Sequence, residues 1–340
     1  MGKMEKMKLG NTGILATRTA FGVLPLQRRS MADAVKILRR AYDAGINFFD
    51  TARVYTDSEE KIGNAFDGMR HDVYIATKSV ARDAKALREH LEMSLRMLRT
   101  DYVDLFQFHN NVPSDDLLET ALGFVKEGKV RHVGLTLHAI KDACEAVASG
   151  KFETLQFPFS SISDKEDAAL VRSCAAAGVG FIAMKPMAGG LIRDVASNFA
   201  YIRSFGNVLP IWGVQHMEEL EQFISLEASP PALDDERLAA IEADRAELGG
   251  QFCRGCGYCM PCPANIELSM VCRMDLLLAR AVAKNFLTPE WREKMALADD
   301  CVDCRACVGR CPYHLKPNKL AKRQARYYEE FAAAYDAGAV

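Results

Sequence analysis

Eight of the eleven cysteines fall into two short runs: Cys253, Cys256, Cys259 and Cys262 followed by Pro263, and Cys301, Cys304, Cys307 and Cys311 followed by Pro312. The second run has the C-x2-C-x2-C-x3-C-P spacing of iron-sulfur ligands, and the first is shorter by one residue in its last gap. Zinc needs only four ligands in pairs, so two interleaved zinc sites are the alternative. Three closely spaced thiolates plus a Cys-Pro, occurring twice, favour two 4Fe-4S clusters. Nine cysteines lie between 253 and 311, and the first 250 residues hold only Cys144 and Cys174. That clustering points to metal ligands in a reducing compartment rather than to disulfides. Cys272 lies away from both runs and, like Cys144 and Cys174, reads as a small buried hydrophobe.

A second set of reactive side chains lies in the first half. Asp50, Lys78, His109, His138, Gln156 and Lys185 each end or immediately follow a short apolar run, and Tyr55 stands just beyond Asp50. A free tyrosine, with a pKa of about 10, is a poor proton donor or acceptor near neutrality, but an adjacent ammonium favours its phenolate. Lys78 could supply that charge, with Asp50 holding Lys78 in place and His109 positioning a substrate carbonyl. The set suits reduction of a carbonyl by hydride. Any one of these residues could instead be an ion pair or a satisfied core group; the whole set at successive run ends favours chemistry.

The elements that must position them follow from periodicity. Apolar runs at 17–23, 47–51, 73–77, 102–108, 130–136, 154–159, 180–185 and 208–213 read as strands. Helical patterns fill 31–45, 83–100, 116–127, 139–149, 165–177 and 216–226, and in the second of these Leu87, Leu91, Leu95 and Leu98 share one face. Eight strand-helix units predict an α/β fold, a closed (β/α)8 TIM barrel rather than an open sheet, and the dinucleotide fingerprint GxGxxG is absent. In such a barrel the C-terminal strand ends carry the chemistry, which is where the polar set falls. SPPALDDE (229–236) breaks the pattern, and Asp234 or Asp235 caps a helix ending at Gly249-Gly250. The predicted partition is a barrel over 1–228, a linker and helix over 229–250, and a small helical iron-sulfur domain over 251–340.

DTARVYTDSEEKIG (50–63) resembles the signature of the aldo-keto reductase family. IATKS (75–79) and LFQFHN (105–110) are similar to that family's lysine and histidine segments, and KLGNTGI (8–14) to the hairpin that closes its barrel floor. The resemblance runs over residues 7–226. It implies an NADP- or NAD-dependent oxidoreductase interconverting carbonyls and alcohols, with Tyr55 as general acid/base, Lys78 tuning it, Asp50 orienting Lys78 and His109 orienting substrate. Gln156 matches the family's amide-binding glutamine. GLTLH (134–138) replaces the usual segment for the nicotinamide amide, leaving Thr136 or His138 to hold it. Met184 stands where a ring usually stacks, and Lys185 could meet cofactor phosphate. WGVQHMEELEQF (212–223) brings Gly213 and Gln215 to the remaining cofactor positions and departs from the usual phosphate- and adenine-binding residues.

The cysteine region resembles the α-helical two-cluster ferredoxins, since ELSMVCRMDLLLARAVAKNF (267–286) reads as helix with an almost continuous apolar face. The crossing of the fourth ligand in that pattern implies one cluster on Cys253, Cys256, Cys259 and Cys311, and the other on Cys301, Cys304, Cys307 and Cys262. Lys316, Lys319, Lys322, Arg323 and Arg326 form a solvated helix face that could dock an acidic redox protein.

A net charge of -2, with 26% charged residues, gives no reason to expect a nucleic-acid partner. The charged N-terminus and the lack of any run of membrane-spanning length predict a cytoplasmic protein with no membrane partner. Nicotinamide transfers two electrons as hydride and a cluster accepts one at a time, with no flavin motif to convert between them. The clusters are therefore expected to be structural, redox-sensing, or in exchange with an external redox protein. The competing reading is an iron-sulfur electron carrier or redox-responsive protein whose barrel is catalytically silent.

Overall fold

The computed structural model describes residues 4–248, 252–280, 282–311 and 313–338. The chain divides into two compact units, Met1–Pro186 with Ala196–Leu238, and Met187–Val195 with Ala239–Val340.

The first unit opens with a hairpin of β1 (Lys6–Lys8) and β2 (Leu15–Thr17), paired antiparallel. Eight strands follow: β3 (Ala20–Gly22), β4 (Phe48–Asp50), β5 (Tyr74–Ser79), β6 (Val103–His109), β7 (Val130–Thr136), β8 (Thr154–Pro158), β9 (Gly180–Met184) and β10 (Val208–Gly213). They close into a parallel barrel in the order β10-β3-β4-β5-β6-β7-β8-β9. Strands covered on both faces need continuous apolar runs, which is why they were legible as such.

Helices α1 (Met31–Asp43), α2 (Ser58–Ala65), α3 (Ala84–Leu98), α4 (Asp115–Lys126), α5 (Ile140–Ser149), α6 (Lys165–Ala177), α7 (Val195–Arg203) and α8 (Met217–Ala228) intervene or follow. Ser30, Asp83, Ser114 and Asp164 cap four of them through their side chains. α3 buries Leu87, Leu91, Leu95 and Leu98, the predicted face. The hairpin plugs the N-terminal end of the barrel: Met7, Leu9, Ile14 and Ala16 pack with Phe48, Leu105, Ile182 and Leu209 in one core.

α9 (Asp235–Leu248) starts where the aspartates placed it, with Asp234 Oδ1 accepting from Arg237 N at 3.0 Å. Its expected end, Gly249-Gly250, lies outside the described residues, as does Pro312. The second unit continues with α10 (Leu268–Val271), α11 (Met274–Arg280), α12 (Pro289–Ala296), α13 (Ala306–Gly309) and the long α14 (Pro317–Asp336). The single helix expected over 267–286 is thus broken at Cys272 and Arg273. The break lets Arg273 turn inward and be buried, which an apolar helix face could not accommodate. α14 anchors this unit: Gln324 Oε1 accepts from Asp275 N at 2.8 Å and the Tyr328 hydroxyl donates to Phe286 O at 2.7 Å. Among the described residues no helix is long and apolar enough to cross a membrane.

Candidate active site and cysteine cages

Parallel pairing brings the polar strand ends to one mouth. Asp50 ends β4, Lys78 lies one residue from the end of β5, His109 ends β6 and Thr136 ends β7; His109 is paired in register with Thr136, and Thr136 with Gln156 on β8. Tyr55 sits in the loop after β4, and His138, Lys185 and Gln215 follow β7, β9 and β10; Gly213 ends β10.

Lys78 is fully buried and its Nζ donates to Asp50 Oδ2 at 2.6 Å and to Thr51 O at 2.6 Å. The ammonium lies 5.4 Å from the centroid of the Tyr55 ring. That ring meets the His109 imidazole edge to face, with centroids 5.7 Å apart. The four residues therefore form one contiguous group. Burial pushes the Asp50 carboxyl up and the Lys78 ammonium down, each shift opposed by the charge of the other.

The phenol of Tyr55 does not follow the sequence expectation. Its pKa is raised, first by burial and then by the Asp50 carboxylate. The ammonium of Lys78 is answered by Asp50, so it brings no net positive potential to the ring. His109 is pushed down to about 3 by burial and then by Lys78 and Lys185, which keeps the imidazole neutral. His138 is held well below the ordinary histidine value by burial, Lys185 and His109. Lys185 and His138, both read as cofactor contacts, thus lie within the electrostatic reach of His109.

Gln156 is engaged internally. Its Oε1 accepts from Gln107 Nε2 at 2.9 Å, and both amides face Asp50. Thr136 Oγ1 is buried with no hydrogen-bond partner, as is His109 Nδ1. Gly213 ends β10 without a side chain to offer the group, and Gln215 donates its backbone N–H to Glu219 Oε2 at 2.7 Å.

Sequence reasoning passed over Glu59, which is 1% exposed, pairs with Arg53 and accepts from Thr77 Oγ1 at 2.6 Å. Its charge favours the ammonium of Lys78. The signal was available, since Glu59 belongs to the Ser-Glu helix start in the 50–63 segment, but nothing in the segment showed that it turns inward.

In the second unit the cysteines line two cavities. One is lined by Cys253, Cys256, Cys259 and Cys311, with Cys272 also on its wall. The other is lined by Cys301, Cys304, Cys307 and Cys262, with Cys259 also contributing. Gly255 N–H donates to Cys253 Sγ at 3.4 Å, the backbone-to-sulfur bond that a ligating thiolate accepts. Burial pushes the Cys259 thiol up to about 12. Among the described residues no disulfide joins any of the cysteines. Among the described residues no three His, Cys, Asp or Glu side chains form a single-ion site. Cys272 is 3% exposed and donates to Pro317 O at 3.4 Å, and Cys174 is buried. Cys144 is exposed, against expectation. α5 buries Ala143, Ala146 and Val147, and the 100° step from Ala143 turns Cys144 to solvent.

A closed eight-strand barrel with a lysine-carboxylate pair, a tyrosine and a histidine at its mouth defines an oxidoreductase class, and the chain belongs to the aldo/keto reductase family, whose model matches residues 19–199. A 4Fe-4S dicluster domain model matches residues 252–316. The chain is 33% identical over 206 residues to the aldo-keto reductase str7 of Strobilurus tenacellus, covering 56% of this chain and 58% of that protein. It is 31% identical over 221 residues to the L-galactose dehydrogenase of Arabidopsis thaliana, covering 57% and 69%. The chain thus spans less than two thirds of the first of these and slightly more of the second. An aldo-keto reductase from Klebsiella pneumoniae, solved in complex with NADPH, has the same fold at a TM-score of 0.62 and 24% identity, covering 72% of this chain and 95% of that one.

Proposed function

We propose that the chain interconverts a carbonyl and an alcohol on a small molecule, with Tyr55 moving the proton at the substrate oxygen. The observation that carries this reading is the contiguous group of Asp50, Lys78, Tyr55 and His109 at the strand ends. The NADPH of the Klebsiella structure supports a nicotinamide nucleotide, NADP or NAD, as the partner cofactor. When bound, the nucleotide supplies or removes hydride at the carbon. Thr136, with its unpartnered buried hydroxyl, fits the carboxamide. His138, Gln156, Lys185, Gly213 and Gln215 are the further cofactor contacts we assign, with Lys185 facing phosphate.

His109, neutral and unpartnered at Nδ1, hydrogen-bonds the substrate oxygen without placing a charge beside it. Tyr55, protonated through neutral pH because its pKa is raised, donates its proton as that oxygen gains negative charge. Asp50 and Glu59 hold Lys78, which fixes the floor beneath the phenol. The protonated phenol is the form that reduction uses, and oxidation requires loss of the phenol proton first.

In the second unit we assign Cys253, Cys256, Cys259 and Cys311 to one 4Fe-4S cluster and Cys301, Cys304, Cys307 and Cys262 to the other. The linings of the two cavities support this crossing. When bound, each cluster takes up or gives one electron. An external redox protein is the partner we propose for them, in a reducing compartment such as the cytoplasm, and the working partition remains 1–228, 229–250 and 251–340. The competing reading, an electron carrier with a silent barrel, draws on Gln156, whose amide oxygen is already taken by Gln107.

The deciding experiment follows NADPH and NADH oxidation across a panel of aldehydes and ketones, and the reverse reaction with the matching alcohols, using the anaerobically purified full chain. Turnover with at least one pair supports the proposal. Nucleotide oxidation with none of them, in a protein carrying both clusters, would favour the silent barrel.

A further inference from the structure

Arg273 lies in the break between α10 and α11 and is 5% exposed. Its guanidinium is wedged between two backbone turns of the second unit: a Cβ built on Gly189 or on Gly255 would stand 2.7 Å from Nη1 in either case. Nη2 donates to Gly189 O at 2.8 Å, and Nε has no hydrogen-bond partner. Among the described residues no carboxylate pairs with it. Gly255, against which the guanidinium packs, donates its N–H to Cys253 Sγ at 3.4 Å, which places the cation one turn from a cluster ligand. A buried cation without a counter-anion carries the penalty of a desolvated ion, which an anion beside it would offset.

We propose that Arg273 is the buried counter-ion of the cluster held by Cys253, Cys256, Cys259 and Cys311, and that it raises the reduction potential of that cluster. The inference rests on the ligand assignment above. Four thiolates outweigh the charge of an oxidised four-iron core, so the loaded cage is an anion. One electron from an external one-electron donor adds a further negative charge, which a fixed cation stabilises, and the donor is oxidised by one electron. Net charge and solvent exposure are the levers that set such potentials. Among the described residues the second cage has no equivalent buried cation. Arg305 and Arg310 on its wall are exposed, and Arg310 is committed to Met260 O, Pro261 O and Ala306 O.

The test is an anaerobic redox titration of the cluster-loaded full chain, followed by electron paramagnetic resonance, for wild type, Arg273→Gln and Arg273→Lys. Two one-electron steps are expected in wild type. Arg273→Gln moves one of them to more negative potential and leaves the other in place, whereas Arg273→Lys, which keeps the charge, stays near wild type. If Arg273→Gln instead loses half the iron and sulfide while Arg273→Lys retains all of it, the counter-ion role is equally supported. Two unmoved steps in a fully loaded Arg273→Gln protein overturn it, as does a shift in Arg273→Lys as large as in Arg273→Gln. Failure of the underlying assignment is visible separately, as wild-type protein without iron and sulfide, or as Cys253→Ala retaining both clusters intact.

Discussion

His109 and Tyr55 show how burial, more than neighbouring charge, sets the chemistry of single side chains at the barrel mouth. Because the folded His109 binds its proton only near pH 3 while an unfolded histidine does so near 6.5, the unfolded chain holds the extra proton between those values. This residue's share of the stability is therefore complete above about pH 6.5 and falls as the pH drops below it. Nuclear magnetic resonance of the His109 ring should report a neutral imidazole at pH 5, and a midpoint near 6.5 would contradict the buried, cation-flanked site. For Tyr55 the raised pKa predicts that alcohol oxidation climbs with pH through 9, while carbonyl reduction stays level over pH 6–8; steady-state profiles in both directions check this. The identities of both residues were legible in the sequence because each interrupts or follows an apolar strand. Their ionisation was not, since the sequence placed both Lys78 and Asp50 beside Tyr55 but showed neither the burial nor which of the two charges prevails at the phenol. Cys144 was misread for a similar reason: an alanine-rich helix does not announce which of its small residues faces out.

Among the elements, the eight strands and most helices were legible because barrel strands are apolar throughout and the helices bury one stripe. Neither α2 nor α7 lies in the helical stretches read from periodicity, and the continuous helix over 267–286 was wrong because a continuous apolar face carries no signal for an internal break. The N-terminal hairpin shows what one close approach can require. Gly10 has φ +54, and a Cβ there would stand 2.3 Å from Gly180 N and 2.6 Å from Gly178 O. Gly10→Ala should therefore displace the plug, while Leu9→Ala, at a fully buried position, should cost about 2–5 kcal/mol. Urea unfolding of the full chain, read by the fluorescence of the barrel residue Trp212, checks both, and an unchanged midpoint for Leu9→Ala would show that the hairpin does not close the barrel floor.

At the scale of the whole molecule, a closed-barrel unit and a helical unit of very different construction share one chain. α10 and α13 have four residues each, and α11 and α12 have seven and eight. Helices so short are not stable on their own in water, so the second unit should depend on the groups its cysteines hold. Removing iron with a chelator should open residues 252–316 to protease while 19–199 stays resistant, as mass spectrometry of the fragments would show; identical digestion of both forms would contradict that dependence. The cysteine spacing made the two-cluster region legible, but not the buried arginine that accompanies it, because Arg273 sits in a run whose other features are apolar. The central claim is that Tyr55 moves the proton. Its most direct test compares wild type and Tyr55→Phe at equal iron content, measuring nucleotide affinity by fluorescence titration and kcat/KM with the best carbonyl substrate. The account predicts nucleotide affinity within about twofold and a loss in kcat/KM of roughly 10²–10⁴-fold; undiminished kcat/KM in Tyr55→Phe would contradict it.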